Sequence, residues 1–116
     1  MGNKESEIWL FSYGSLRQPE VQIAIFGRVL EGQADTLPEY SISRLKITDP
    51  EVIAISGASQ HTIIRFTGNR GDAVTGMVFR VNAEELAKAD AYEVSEYRRV
   101  AVRLGSGLNA YVYAAA

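Results

Sequence analysis

At 116 residues, with 47% hydrophobic residues, 22% charged residues and a net charge of −2, the chain has the make-up expected of one soluble domain with a single core. It carries no basic block to neutralise a nucleic-acid backbone and no apolar run long enough to span a membrane. Cysteine is absent, which removes disulfides, thiolate metal sites and cysteine nucleophiles, and the single histidine, His61, cannot build a multi-histidine metal centre.

The polar start, residues 1–6, is expected to be flexible. It does not resemble a signal peptide, so a cytoplasmic location is expected. Residues 7–13, EIWLFSY, read as a buried strand rich in aromatic and apolar side chains. Gly14 and Ser15 break it. Pro19 suits the first turn of a short helix, preceded by Gln18 or Ser15, with Val21, Ile23, Ala24, Ile25 and Phe26 making it apolar and Gly27 ending it. Residues 28–37 read as a strand interrupted at Gly32. Residues 40–47 alternate with period two, as a half-exposed strand does. Asp49-Pro50 is a turn signal, residues 52–55 and 62–66 are short β-branched runs, and residues 68–72 form a surface turn.

The second half holds the strongest strand, residues 73–81. Gly76 in its interior points to a bulge or a close backbone approach. Asn82 followed by Glu85 is a variant capping box and predicts a helix over residues 83–92. Residues 98–104 and 108–114 read as a hairpin around Gly105-Ser106-Gly107. Many strands with about two helices predict a single α+β domain over residues 1–116, with a curved mixed sheet or a small barrel.

One residue breaks the pattern. Leu86, Ala89 and Glu93 share a helix face, so Glu93 falls on the core side at the helix end. Burial and the negative end of the helix dipole both disfavour its charge, which suits a group that takes and returns a proton near neutral pH. The plainer alternative is that Arg98 or Arg99 neutralises it; the two alternate across a strand start, so only one can point toward Glu93. Glu96 reads as a solvated loop residue.

Residues 11–16, FSYGSL, resemble the Y-G-[ST]-L loop of the gamma-glutamylcyclotransferase-like family, and residues 90–100, DAYEVSEYRRV, resemble its second signature. The order and separation of the two, from Ser15 to Glu93, also fit. The resemblance implies an α+β fold, a small mixed, partly closed β-barrel with about two helices, and cyclisation of a γ-glutamyl group to 5-oxoproline with release of the amine it was attached to, with no metal or organic cofactor. It implies that Tyr13, Gly14, Ser15 and Leu16 hold the glutamyl end and that Glu93 is the general acid/base. Tyr97 reads either as a substrate-side residue that walls the pocket or orients Glu93, or as a core tyrosine. The nucleophile is the substrate's own amino group, which agrees with a chain that has no cysteine. Val94 stands where family enzymes often carry glycine, so the helix exit is expected to take another geometry; Pro19 likewise stands near a frequent glycine and stiffens the loop.

The expected partner is a small γ-glutamyl compound, with neither nucleic acid nor membrane, on a monomer or homodimer. Two other functions remain open at this point: a non-catalytic small-ligand or regulatory module of the same fold, and a structural dimerisation domain using the C-terminal hairpin as an edge. Trp9 is expected in the core, His61 at a strand edge, and Arg17 in solvent or on a substrate carboxylate.

Overall fold

The computed structural model describes residues 8–46, 60–93 and 97–115. In chain order its elements are β1 (Ile8–Ser12), a 3-10 turn (Ser15–Arg17), α1 (Pro19–Phe26), β2 (Gly32–Pro38), β3 (Tyr40–Lys46), β4 (Gln60–Phe66), β5 (Ala73–Val81), α2 (Ala83–Tyr92), β6 (Tyr97–Arg103) and β7 (Asn109–Ala115). The expected turn at Asp49-Pro50, the run over residues 52–55, and Val94 and Glu96 lie outside the described residues.

Five strands form one mixed sheet in the order β2-β5-β1-β7-β6, and β3 and β4 form a separate antiparallel pair. The larger sheet is not closed into a barrel. The β3–β4 pair lies against β5 and β7 and covers one of its faces, which makes the partly closed α+β arrangement. The central strand is β1, antiparallel to β5 and parallel to β7, with Leu10 opposite both Phe79 and Tyr111.

A strand in that position is covered on both faces, which explains its unbroken apolar run. Alternation sends Leu10 toward the helices, into a core with Val21, Phe26, Phe79, Leu86 and Tyr113. Phe11 and Tyr13 face the other way, into a core with Leu37, Ile64, Val74 and Val112. Trp9 is partly buried against this second core, with the Arg80 guanidinium 5.3 Å from its ring centre. Gly76 answers to the close approach expected of it: a Cβ there would run into the Ser12 carbonyl oxygen and the Phe11 ring.

The first helix starts at Pro19 after Gln18 and ends where Gly27, at φ 78°, turns left-handed and donates its N–H to the Ile23 carbonyl. Its inward face differs from the expected one. Ile23 is 54% exposed, and Gln22 takes the buried place instead. The Gln22 amide donates to the Leu16 carbonyl at 2.8 Å and accepts from the Leu30 N–H at 2.8 Å, which ties the 3-10 turn to the segment after the helix. This bond also explains why the strand expected from residue 28 starts only at Gly32. The Leu30 N–H is used by a side chain, and Arg28 reaches Glu85 through two hydrogen bonds of 2.6 and 2.9 Å.

Glu85 also completes the predicted capping box. Asn82 accepts from the Glu85 N–H at 2.7 Å, and the Asn82 N–H donates back to the Glu85 carboxylate at 3.0 Å. Replacing Asn82 by Ala should lower stability by about 1 kcal/mol, read as a shift in urea midpoint at constant slope. The cap matters for function because α2 carries Glu93 at its far end.

Candidate active site

β1 ends at Ser12, and the chain turns at once. Tyr13 is buried and its hydroxyl donates to the Tyr113 carbonyl of β7 at 2.6 Å. Burial is the main reason its phenol is pushed far above its ordinary pKa, with Tyr97 next and Glu93 after it, so it stays a neutral donor. The Gly14 carbonyl accepts from both the Arg17 N–H and the Arg17 Nε, each at 3.1 Å. Arg17 is therefore an exposed residue that braces the turn. The Ser15 hydroxyl lies 2.7 Å from that of Tyr92 at the end of α2. Leu16 is buried and anchors the turn in the core.

Gly14 needs no left-handed backbone, since its φ is −125°, and among the described residues a Cβ there would meet only the Thr62 hydroxyl at 3.6 Å. Among the described residues nothing else crowds this side of the turn.

The residue after Tyr92 is Glu93. It is the C-cap of α2, with its N–H donated to the Ala89 carbonyl at 3.1 Å and an extended backbone at φ −71° and ψ 142°. The helix thus ends at Glu93 itself without a left-handed residue at this position. Its carboxyl is partly buried and its pKa is raised to about 8, first by burial and then by the negative charge of Asp90 one turn earlier.

The expected alternative, an ion pair with Arg98 or Arg99, is not formed. Arg99 pairs with Asp90 at 2.8 Å and stacks its guanidinium 4.9 Å from the Tyr111 ring centre. Asp90 also accepts from the Tyr113 hydroxyl at 2.6 Å. Among the described residues no cation reaches the Glu93 carboxylate within ion-pair distance.

Glu93 opens onto a cavity of about 320 Å³ that it lines with Asp90, Tyr97, Arg98, Arg99 and Tyr113. Tyr97 forms part of this wall and gives its hydroxyl to the Thr62 carbonyl at 2.7 Å. Among the described residues no three His, Cys, Asp or Glu side chains cluster to hold a metal, and no helix is long and apolar enough to cross a membrane. His61 lies in β4 opposite Leu45.

Sequence reasoning brought the turn and Glu93 together but missed their supports. Asp90 could have been suspected from its position one turn before Glu93. Tyr113, 100 residues from the Tyr13 that bonds to its carbonyl, carries no local signal at all.

The family model described as gamma-glutamyl cyclotransferase, AIG2-like, matches residues 10–116. No curated protein sequence resembles the chain closely enough to count as a match. Among solved structures, one Arabidopsis thaliana protein is 24% identical with a TM-score of 0.69, over 93% of this chain and 61% of that one. A gamma-glutamyl cyclotransferase is 17% identical with a TM-score of 0.70, over 94% of this chain and 66% of that one. The Kluyveromyces lactis allophanate hydrolase is 13% identical with a TM-score of 0.72, over 95% of this chain but only 17% of that one. The chain thus spans under two thirds of the length of the Arabidopsis protein. At these identities the likeness is one of fold.

Proposed function

The chain belongs to the AIG2-like gamma-glutamyl cyclotransferase family, and on that footing we propose that it converts a small γ-glutamyl compound to 5-oxoproline and a free amine. The substrate's α-amino nitrogen attacks its own γ-carbonyl carbon. The new C–N bond closes the ring, and the bond to the leaving amine breaks. Glu93 takes the proton that the attacking nitrogen loses and returns it to the departing nitrogen, so the step needs no water and no external proton. The reaction is already intramolecular, and holding the glutamyl chain folded back on itself removes much of the remaining barrier.

The observation that carries this reading is the state of Glu93: a partly buried carboxyl with its pKa raised to about 8, with no cation on it among the described residues, one residue from the tyrosine that touches Ser15. A structural ion pair would leave the group charged and bonded. The turn at residues 13–16 supplies what the glutamyl end requires, namely backbone N–H groups at the start of a 3-10 turn and an uncrowded Gly14.

The test is release of 5-oxoproline from γ-glutamyl amino acids, γ-glutamyl amines and glutathione. Product from at least one of them supports the reading. Saturable binding of these compounds without product supports the non-catalytic module instead.

A further inference from the structure

The turn at residues 13–16 and the cavity beside Glu93 both touch β4. Side chains two apart on a strand share a face. Ile64 is fully buried in the core that holds Tyr13, and its backbone hydrogen-bonds the Tyr13 hydroxyl. Thr62, two residues earlier, is on the same face of β4 but only half-buried. Its hydroxyl lies beside Gly14, 3.6 Å from where a Cβ on that glycine would stand. Its carbonyl accepts the Tyr97 hydroxyl at 2.7 Å, and Tyr97 lines the cavity with Glu93. One residue of β4 thus meets the turn with its side chain and the cavity wall with its backbone.

The Thr62 hydroxyl has no hydrogen-bond partner among the described residues. The neighbouring hydroxyls do. Tyr13 donates to the Tyr113 carbonyl, Ser15 is paired with Tyr92, and Tyr97 is held by Thr62 itself. The strand has no use for this hydroxyl either, since valine has the same shape and suits a strand at least as well. What remains is a half-buried donor facing the uncrowded side of Gly14.

We infer that Thr62 is a substrate-binding residue, whose hydroxyl donates to the α-carboxylate of the glutamyl group held on the turn. The inference rests on the cyclotransferase reading above. An α-carboxylate only accepts hydrogen bonds, and a threonine O–H can donate to it, with the charge strengthening the bond. The β3–β4 pair then does more than cover one face of the sheet: it supplies one wall of the site.

The experiment takes the γ-glutamyl compound that wild type cyclises best and compares wild type, Thr62→Val and Thr62→Ser by 5-oxoproline release. Thr62→Val should raise KM about tenfold and leave kcat and its pH profile unchanged, as expected when a bond to a charged group of the bound substrate is lost. Thr62→Ser should stay close to wild type. The analogue whose glutamyl α-carboxylate is replaced by a carboxamide is titrated as a competitor, so its affinity is read whether or not it is cyclised. Thr62→Val should weaken that analogue by no more than about twofold, because the charged partner is gone. Urea midpoints establish that the variants are folded; should Thr62→Val fail to fold, Thr62→Ala set against Thr62→Ser makes the same comparison. An unchanged KM in folded Thr62→Val overturns the assignment. So does an equal loss for substrate and carboxamide, or a fall in kcat at unchanged KM. No 5-oxoproline from wild type with any γ-glutamyl compound overturns the cyclotransferase reading and this inference with it.

Discussion

Glu93→Gln should fold normally and lose 5-oxoproline formation by roughly 10²–10⁴-fold, the range expected when one positioned acid/base is removed. The amide keeps the shape of the side chain but can neither take the proton from the attacking nitrogen nor return it to the leaving one. In the proposed mechanism Glu93 acts first as a base, so wild-type activity should rise with pH through about 8, where the carboxyl ionises. The variant should show neither the activity nor that limb of the profile. Far-ultraviolet circular dichroism would establish that it is folded. Turnover equal to wild type would remove Glu93 from the mechanism.

The same substitution should make the protein more stable at alkaline pH. The Glu93 carboxyl has an ordinary pKa of 4.5 and a folded-state pKa of about 8. Below 4.5 it is protonated in both states and has no effect on the balance. Between 4.5 and 8 the folded state holds a proton that the unfolded state has released, so stability falls as pH rises. Above 8 the charge is present in both states and the penalty is full, of the order of a few kcal/mol. Glu93→Gln carries no such penalty. Urea unfolding of the two proteins should therefore agree near pH 4.5 and diverge toward pH 8, with the variant the more stable. A difference that is constant with pH would mean that Glu93 is not buried as described. The direction is opposite to that of Glu85, whose carboxyl is held below its ordinary value, chiefly by the Arg28 hydrogen bonds, and which loses its contribution as pH falls. Taking the difference between the two proteins at each pH cancels that background. A stability cost confined to one carboxyl is what a proton-transfer group is expected to impose on its fold.

Features written locally in the chain were legible from it. The capping box at Asn82 and Glu85, the left-handed Gly27 and the buried run of β1 depend on neighbours a few residues away, and the structure has them where the pattern put them. The core-side position of Glu93 followed from helical spacing alone. What was not legible depends on contacts between distant segments. Gln22 reads as a polar interruption of an apolar helix until the Leu16 carbonyl and the Leu30 N–H are in place beside it. Residues 28–31 have strand-like side chains, but Arg28 is drawn to Glu85, and a glutamine holds the Leu30 backbone. Arg99 is indistinguishable from Arg98 in sequence, and only the fold gives one of them an aspartate and an aromatic ring.

The central place of β1 also sets the order in which the molecule can come into being. It is the first strand among the described residues, yet its two neighbours are β5 and β7, the last of them. A nascent chain on the ribosome has nothing to lay β1 against until β5 emerges, and nothing for the Tyr13 hydroxyl until Tyr113 does. Closing loops of that length makes folding slow and dominated by non-local pairing. The turn and Glu93 are brought into register only once β7 has been made, so the candidate site should form in one step with no partly formed precursor.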